Sequence, residues 1–344
     1  MRRTVDLRSD TVTQPTEEMR RAMAAAEVGD DGREGDPTVR RLEEQSAERL
    51  GTEAAMLVPS GTMGNLVSLL THCERGDEVI MEAEAHTFTS EFGGLAALGG
   101  LIPRQVPGVR GALRPEDVEA AIRQPLTARP VSRLVCLENT HNHAGGTVIR
   151  REQVAAVVAV AHRRGLRVHI DGARIFNAAV ALGTPARTLV TGVDSVTFCL
   201  SKALSAPVGS VVCGSRDFIA RAREFRRMLG GTMRQSGIIA AAGIVALDTM
   251  VERLAEDHRR ARRAAERLVE LPGLRIDLDT VQTNIVNVDV SGLGTTAPEF
   301  LARAQSEGVQ ALPRNMRVVR LVTHRHIGDA DVDYVVEAVK RIVA

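Results

Sequence analysis

The chain alternates short apolar segments with longer segments of helical periodicity, and no other feature of the sequence constrains its fold as strongly. Segments with apolar residues at helical spacing lie at 17–25, 38–50, 115–123, 152–164 and 216–228. Short segments rich in apolar and β-branched residues are predicted strands, at 54–58, 77–82, 133–138, 166–171, 195–200 and 209–214. This alternation predicts an α/β fold with a mainly parallel sheet. The strand segments are apolar almost to their last residue, which indicates a sheet covered by helices on both faces.

A change of pattern in the last third of the chain predicts a second, smaller unit. An Ala-, Arg- and Glu-rich tract at about 236–270 predicts one long helix. It is followed by the strand-like segment IVNVDV, a helix near 297–307, the segment VVRLVTH and a closing helix. We therefore divide the 344 residues into a large domain at 1–250, which includes an amino-terminal arm, and a small α+β domain at 251–344.

Composition and charge argue against several classes of partner. The formal net charge is +1, with 44 basic and 43 acidic side chains interspersed, so nothing favours a nucleic acid or a membrane surface. The amino terminus shows no apolar region of a signal peptide, and no apolar segment is long enough to span a membrane. The four cysteines are scattered without CxxC spacing. We therefore expect reduced, buried thiols and a cytoplasmic protein.

The chain contains two lysines against 42 arginines, which makes the position of each lysine informative. Lys340 lies in the last helical segment and is typical of a solvated surface charge. Lys202 lies at the end of the segment DSVTFCLSK, directly after a predicted buried strand. Arginine replaces lysine at most surface sites, but only a lysine can lose its proton and attack a carbonyl group. Lys202 is therefore a candidate for covalent chemistry with a carbonyl.

Polar residues follow the ends of several predicted strands. In a parallel sheet the carboxyl ends of the strands meet at one edge, and ligands bind beyond that edge. The first strand leads into a Pro-Ser-Gly-Thr turn at the start of a helix, where backbone N–H groups can bind a phosphate. Later strands lead to an imidazole, to a carboxylate with a guanidinium nearby, and to an amine. The residues are Ser60, Gly61, Thr62, His86, Asp171, Arg174 and Lys202.

This combination of groups fits pyridoxal phosphate. The cofactor needs an amine for its aldehyde, a phosphate site, a carboxylate for its ring nitrogen and a flat group against its ring. Asp171 is the candidate carboxylate. The chain has no Trp and one Tyr, which lies in the last helix, so a His or Phe must supply the flat group. We prefer His86 to Phe88, because Phe88 points the other way if this segment is extended.

A metal site is the alternative interpretation of the same region. His141 and His143 alternate onto one face of their segment, as do His169 and Asp171, and such pairs are compatible with metal ligation. No matching third and fourth ligand is apparent, and a metal would leave Lys202 without a role. We therefore expect no metal.

Long stretches of the sequence resemble the low-specificity L-threonine aldolases, from about residue 5 to residue 343. The stretches are VDLRSDTVTQPTEEMRRAM, GDPTVRRLEE, PSGTMGN, ENTHN, VHIDGARIFNAAVALG, SVTFCLSK, APVGSVV, GGTMRQSGIIAAAGIVAL and VVRLVTH. The resemblance implies a pyridoxal-phosphate enzyme of the aspartate-aminotransferase fold type, whose large domain binds the cofactor. It implies that β-hydroxy-α-amino acids such as L-threonine or L-allo-threonine are cleaved to, or formed from, glycine and an aldehyde. It also implies a dimer of active sites, usually paired into a tetramer.

The resemblance further implies which residues hold the cofactor. Lys202 would bind the aldehyde, Asp171 would face the pyridine nitrogen, and His86 would stack on the ring. Arg174 would lie beside the cofactor, in the same segment as Asp171. The phosphate would be surrounded by Ser60, Gly61, Thr62 and Ser201, and by Arg234 of the neighbouring subunit.

The resemblance likewise implies how the substrate is held. Its carboxylate would be bound by Ser9, Arg174 and Arg320, since arginine forks grip a carboxylate with two hydrogen bonds. A base must also remove the proton of the β-hydroxyl group. We prefer His86 to Glu91 for this role, because histidine titrates near neutral pH.

Five positions depart from the family pattern. A tyrosine is common near the position of Arg33, and a histidine thought to contact the substrate hydroxyl is common where Ala128 stands. Glycines are usual at the positions of Ala203, Ser205 and Thr232. These departures leave open a related reaction, such as an aldol or transaldol reaction with a bulkier aldehyde, or a β-elimination. A cofactor-binding protein with little catalysis is disfavoured, because it would need no clamp for a substrate carboxylate.

Overall fold

The secondary structure is known for residues 3–123 and 129–344, which are the residues that the computed structural model describes. The strands are β1 Val5–Asp6, β2 Ala54–Val58, β3 Glu78–Glu82, β4 Ile102–Val106, β5 Ser132–Glu138, β6 Arg167–Asp171, β7 Ser195–Cys199, β8 Ser210–Gly214, β9 Ile285–Asp289, β10 Val309–Gln310, β11 Leu312–Pro313 and β12 Val318–Val322. The α-helices are α1 Glu17–Ala24, α2 Pro37–Leu50, α3 Gly61–His72, α4 His86–Thr89, α5 Gly94–Ala97, α6 Pro115–Ala121, α7 Arg151–Arg163, α8 Ile175–Leu182, α9 Ala186–Leu189, α10 Arg216–Met228, α11 Gly237–Thr249, α12 Leu254–Leu268, α13 Ala297–Ser306 and α14 Asp329–Val343.

A seven-stranded sheet in the order β2-β8-β7-β6-β5-β3-β4 forms the centre of the larger unit. Strand β8 is antiparallel to its neighbours β2 and β7, and the other strands run in one direction. Helices α2, α3, α7 and α10 pack against this sheet, which explains why its inner strands are apolar. The predicted α/β class with a mainly parallel sheet is confirmed.

Strand β4 has no counterpart among the predicted strands. It pairs with β3 alone and forms one edge of the sheet. Of its five residues only Val106 is buried, and Pro103, Arg104 and Gln105 interrupt any apolar pattern. An edge strand has no strand on its outer side, so it tolerates proline and polar side chains that an inner strand excludes. The apolar pattern that identifies the inner strands is therefore absent here.

The tract expected to form one long helix at about 236–270 forms two helices, α11 and α12, so this expectation was wrong. The chain turns between them at residues 250–253. Leu247 of α11 lies in the core of the larger unit, whereas Ala261 and Leu268 of α12 lie in a second core. Apart from its first residue, Leu254, which reaches the first core, α12 packs its apolar face into the second core, and one straight helix would have to serve both cores along its length. No Gly or Pro marks the turn in the sequence.

The second core belongs to a smaller unit around the antiparallel sheet β11-β12-β9, with α12 and α13 packed against the sheet and α14 packed against these two helices. The amino-terminal arm also joins this unit, because β1 pairs in parallel with β10 and Val5 and Leu7 lie in the second core. The arm therefore links the start of the chain to its carboxyl-terminal part. The domain boundary at residue 250 stays a prediction.

Two features of composition have structural counterparts. Among the described residues, none of the helices combines the length and the apolar character needed to cross a bilayer. All four cysteines are buried and free, as the sequence predicts.

The loop after Lys202 generates a prediction about stability. Ser205 is fully buried and has a left-handed backbone with φ of 66°, a conformation in which a side chain is strained and glycine is not. We expect Ser205→Gly to raise the free energy of unfolding by about 0.5–1 kcal/mol, because relief of strain outweighs the added freedom of the unfolded chain. Urea denaturation measures this change.

Ala203→Gly is the matched control, because Ala203 is buried two residues away without a left-handed backbone. Here glycine brings no relief and only frees the unfolded chain, so stability should fall. Equal effects of the two substitutions would show that Ser205 is not strained.

Candidate active site

Four side chains that end or follow neighbouring strands meet at the carboxyl edge of the large sheet. Asp171 ends β6, Glu138 ends β5, and His86 begins the short helix α4 that follows β3. Lys202 follows β7 after two further residues. Because parallel strands end at the same edge, the order of β3, β5, β6 and β7 in the sheet brings these residues together.

The carboxylate of Asp171 is buried, with 2% of the residue exposed. Its Oδ2 accepts a hydrogen bond of 2.8 Å from the amide of Asn65, and its Oδ1 accepts one of 3.1 Å from the backbone N–H of Ala173. Within the described part of the chain, no lysine or arginine nitrogen lies within 4.0 Å of this carboxylate, and His86, with its Nδ1 at 4.0 Å, is the one basic side chain that reaches it. Because no lysine or arginine neutralises it, this buried carboxylate can pair with a cationic group of a bound ligand.

The imidazole of His86 lies beside Asp171 and is held from two sides. Its Nδ1 is 3.0 Å from Oε1 of Glu91, and its backbone N–H donates to Oε2 of Glu138 at 2.8 Å. The assumption that this segment is extended was wrong, because residues 86–89 form helix α4. Phe88 packs instead against an apolar cluster that includes Leu95, which removes it from the site.

The pKa values of this pair respond to burial and to each other. Burial lowers the pKa of His86, but the hydrogen bond with Glu91 and the charges of Asp171 and Glu138 raise it to a net value above normal. Burial raises the pKa of Glu91, Asp171 raises it further, and His86 and Asn65 oppose the rise only in part. His86 is thus suited to exchange a proton in the neutral range.

The turn before α3 offers a site for an anion. Ser60 is the N-cap of this twelve-residue helix, and its hydroxyl accepts a hydrogen bond of 3.2 Å from the N–H of Met63. The N–H groups of Gly61 and Thr62 belong to the first turn, where no intrahelical acceptor exists. A side chain at Gly61 would put its Cβ 2.8 Å from Sγ of Cys199, so the close contact with β7 requires glycine. Ser60 and Thr62 are exposed.

Lys202 combines a fixed backbone with a free amine. Its carbonyl accepts hydrogen bonds from the hydroxyl of Thr13 at 3.0 Å and from the N–H of Ser205 at 2.8 Å. Its Nζ makes no hydrogen bond or ion pair with the residues that the structure describes, while the side chain is half-buried. The preceding residue, Ser201, is half-buried and donates its N–H to the carbonyl of Gly209 at 3.3 Å.

Arg174 is already paired within the chain. Its Nε and Nη2 donate to the two carboxylate oxygens of Asp10 at 2.7 and 2.8 Å, and both residues are buried. The two-pronged contact expected with a substrate is therefore made with Asp10. Burial opposes the charge of Asp10, but Arg174, Lys202 and Asn284 together hold the pKa of its carboxyl far below normal.

Arg320 has no acidic partner within 4.0 Å among the described residues. Its Nη1 donates to Oδ1 of Asn142 at 2.9 Å, and its Nη2 lies 3.3 Å from the carbonyl oxygen of Arg8. Burial and the charge of Arg174 lower the pKa of Arg320, and Asp10 opposes them. The site therefore contains a half-buried guanidinium whose charge is not neutralised by a carboxylate of its own.

The remaining candidates lie further from this centre. Ser9 is half-buried, and its hydroxyl accepts a hydrogen bond from the N–H of Thr11 at 3.2 Å. The side chain of Arg234 is 64% exposed and pairs with Asp30 at 3.3 Å, and no contact in the described residues joins it to the other candidates. Arg33 is exposed near the same carboxylate, at 3.7 Å. Ala128 lies outside the described residues.

The histidines His141 and His143, which were considered as metal ligands, contact glutamates of the chain. His141 contacts Glu82 at 2.9 Å, and His143 contacts Glu84 at 3.2 Å. Among the described residues, the one group of three or more possible metal ligands is formed by side chains already assigned to the site, with ligand atoms within 4.8 Å of one another. They are His86, Glu91 and Asp171.

Sequence reasoning missed two residues that organise the site. Asn65 donates to both Glu91 and Asp171 at 2.8 Å, and Asp10 neutralises Arg174. The signal for Asn65 is an amide on the buried face of an apolar helix, next to Leu66 and Leu69. A buried amide needs partners, and its position therefore points to a polar site.

Comparisons with known proteins agree with this geometry. A sequence model of the family described as "Beta-eliminating lyase" matches residues 6–291. The chain is 48% identical to the "Probable low-specificity L-threonine aldolase 2" of Arabidopsis thaliana, over 99% of this chain and 97% of that protein. It is 44% identical to the "Low specificity L-threonine aldolase" of Escherichia coli, over 93% of each chain.

Solved structures show the same fold. The threonine aldolase of Leishmania major superposes with a TM-score of 0.82 at 19% identity, covering 98% of this chain and 99% of that chain. A putative L-allo-threonine aldolase of Listeria monocytogenes superposes with a TM-score of 0.80 at 20% identity, covering 98% and 95%.

The contact between His86 and Glu91 generates a prediction. Because Glu91 raises the pKa of His86 above its ordinary value of 6.5, Glu91→Gln should lower that pKa in the ligand-free protein. Histidine NMR titration measures it. Glu84→Gln is the control, since Glu84 is an exposed carboxylate that contacts His143 instead. A pKa of His86 that is equal in wild type and Glu91→Gln would contradict the assigned contact.

Proposed function

The chain belongs to the beta-eliminating lyases and, within them, to the low-specificity L-threonine aldolases, and from that membership we propose its reaction. It cleaves, or forms, β-hydroxy-α-amino acids such as L-threonine and L-allo-threonine, with glycine and an aldehyde as the other reactants. The observation that carries this proposal is the pair of uncompensated charges at one edge of the sheet. Within the described residues, Asp171 has no lysine or arginine and Arg320 has no aspartate or glutamate within 4.0 Å.

The residues of the site fit pyridoxal 5′-phosphate. Lys202 presents a free amine for its aldehyde, Asp171 presents a buried carboxylate for its ring nitrogen, and His86 offers a flat ring beside that carboxylate. The phosphate would lie at the start of α3, near Ser60, Gly61, Thr62 and Ser201. When bound, the cofactor withdraws electrons from a bond at the substrate α carbon.

The guanidinium of Arg320 is the group proposed to bind the substrate carboxylate. Among the described residues, Arg320 hydrogen-bonds only to neutral oxygens, so a carboxylate would replace weaker partners with a charge-assisted pair. Arg174 would assist Arg320 in binding this carboxylate, through the one guanidinium nitrogen that Asp10 does not bind and through its positive charge. The hydroxyl of Ser9 would add a hydrogen bond. Two fixed contacts to the carboxylate restrict rotation of the amino acid, which sets the direction of the bond that breaks.

Removal of the β-hydroxyl proton is assigned to His86. Its Nδ1 faces Glu91, which leaves Nε2 to face a substrate. Glu91 has a raised pKa and stands behind the imidazole, where it can share the proton that His86 accepts. Glu91 is therefore the second candidate base.

We propose in addition that the protein is a cytoplasmic homotetramer whose cofactor is bound by the large domain at 1–250. Four buried free thiols are compatible with a reducing compartment. Phe92, Met228 and Met316 are large apolar side chains exposed in the single chain, as expected of surfaces that a subunit covers. Arg234, which is exposed, would then reach the phosphate of a neighbouring subunit.

Product analysis tests the reaction. Purified protein with L-threonine, L-allo-threonine or phenylserine should release glycine and acetaldehyde, or glycine and benzaldehyde, in equal amounts. Formation of 2-oxobutanoate and ammonia from threonine would instead show β-elimination. Absence of any product would contradict both reactions.

The assignment of the amine generates a prediction. Borohydride reduction should fix the pyridoxyl group on Lys202, and Lys202→Ala should abolish the visible absorption of the lysine-bound cofactor. Lys340→Ala is the matched control, because Lys340 is the other lysine and contacts Glu337 on the surface. Label on Lys340, or an unchanged spectrum in Lys202→Ala, would overturn the assignment.

The assignment of Arg320 to the substrate carboxylate also generates a prediction. Arg320→Lys keeps a positive charge but loses the fork, so kcat/KM should fall by about 10- to 100-fold for every β-hydroxy amino acid, with an unaltered cofactor spectrum. Arg317→Lys, at an exposed position just before β12, should have no effect. A loss confined to one substrate would show that Arg320 recognises the aldehyde side chain instead.

A further inference from the structure

A row of hydrogen-bonded side chains continues from Asp171 through the sheet. Asn65 Oδ1 is 3.3 Å from Nε2 of His169, whose Nδ1 is 2.8 Å from Oγ of Ser195. The same Oγ is 2.7 Å from Nε2 of His72. Asn65, His169 and Ser195 are each at most 2% exposed.

The far end of this row lies at the opposite edge of the sheet. His72 ends α3 and lines a surface cavity with Arg167, which begins β6, and Asp194, which precedes β7. The ring of His72 stacks on that of Phe218 at 4.6 Å between centroids, which fixes its plane. The row therefore spans the sheet from its amino edge to the carboxylate at its carboxyl edge.

Hydrogen-bond chemistry fixes the direction of every link. The amide nitrogen of Asn65 donates to Asp171 and to Glu91, so Oδ1 of Asn65 must accept, and Nε2 of His169 must carry the proton. A neutral His169 then accepts at Nδ1, so the hydroxyl of Ser195 donates to it. The oxygen of Ser195 is left to accept from Nε2–H of His72.

Neutral imidazoles are required for this order, and the surroundings supply them. Burial, with the smaller influence of His169 added, lowers the pKa of His72 to about 3. Burial lowers the pKa of His169 to about 4, against the opposing effects of the charge of Asp171 and of a backbone hydrogen bond with Ser195. Each ring therefore donates from one nitrogen only at neutral pH.

We propose that His72, Ser195, His169 and Asn65 are positioning residues that align their donors toward Asp171 and stabilise its negative charge for a cationic ring nitrogen. The proposal rests on the assignment of Asp171 to that nitrogen. Aligned donors polarise one another, so the final N–H of Asn65 is a stronger donor than an isolated amide. The row thereby compensates part of the cost of burying a carboxylate that has no lysine or arginine beside it among the described residues.

Neutron diffraction on crystals of the cofactor-loaded protein tests the direction of the row. Deuterons are expected on Nε2 of both His72 and His169, with the deuteron of Ser195 pointing to Nδ1 of His169. A deuteron on Nδ1 of His169, or on both of its nitrogens, would overturn the proposal. This measurement uses the unaltered protein and needs no variant to fold.

A second experiment tests the effect on the cofactor, with ¹⁵N-labelled pyridoxal 5′-phosphate as the probe. Asn65→Ala should move the ¹⁵N shift of the ring toward that of neutral pyridine and raise the Kd in equilibrium dialysis by about tenfold. Ser195→Ala should act in the same direction by about two- to fivefold. Wild-type shift and Kd in both variants would overturn the proposal.

Ser46→Ala is the matched control for loss of a buried hydroxyl. Ser46 is fully buried, and its hydroxyl donates only to the backbone carbonyl of Leu42 at 2.7 Å. The Ser46→Ala protein should be less stable than wild type but should keep the wild-type ¹⁵N shift of the cofactor ring. Asp171→Asn separates this proposal from the proposed function: if that variant also keeps the wild-type shift, Asp171 does not face the ring, and the proposed site is wrong.

Discussion

The buried carboxylate of Asp171, which has no lysine or arginine beside it in the described residues, is the condition on which the site depends. Removing a carboxylate from water is costly unless hydrogen bonds or a cation replace the lost solvation. The described residues supply hydrogen bonds from Asn65 and Ala173 and the imidazole of His86 at 4.0 Å, and they leave a permanently charged partner to a ligand. The position of Asn65 on α3 thus connects the helix that can bind a phosphate with the carboxylate that can bind a ring nitrogen.

A second buried carboxylate, that of Asp10, differs from Asp171 because an arginine of the same chain neutralises it. It is as deeply buried as Asp171, but Arg174 neutralises it with two hydrogen bonds. That pairing leaves Arg320 as the guanidinium without an acid in the described site. The result is one unpaired negative charge and one unpaired positive charge at the same edge of the sheet. A cationic cofactor ring and an anionic substrate carboxylate match these two charges.

Much of this arrangement can be predicted from the sequence, because it follows from strand ends. Asp171 and Lys202 each follow an apolar segment, and parallel strands bring such residues to one edge. Contacts between distant segments cannot be predicted in this way. The pairing of Asp10 with Arg174 joins residues 164 positions apart, and no local pattern encodes it. The helix at 86–89 was also unpredictable, since four residues are too few for periodicity to show.

The fold was least predictable where two cores compete for one segment. Residues 250–253 have ordinary helix-forming side chains, and only the separate burial of α11 and α12 makes the chain turn there. β4 is the complementary case, because an edge position removes the demand for apolar residues. In both places tertiary packing decides the structure, and local sequence carries little of that information.

Four of the five departures from the family pattern fall into two physical groups, and the fifth, Ala128, lies outside the described residues. Ala203 and Ser205 are buried beside Lys202, and Ser205 keeps a left-handed backbone although it is not glycine. The loop that holds the amine therefore retains a conformation suited to glycine. Arg33 and Thr232 are more exposed and lie close to Asp30 or Gly32 at the surface. The charges proposed to recognise the amino-acid part of a substrate, those of Arg174 and Arg320, are buried or half-buried, whereas Arg33 is exposed and Thr232 is half-buried. Arg33 and Thr232 therefore adjoin Arg234, the arginine proposed for the phosphate of a neighbouring subunit, and lie apart from the proposed carboxylate contact of Arg320.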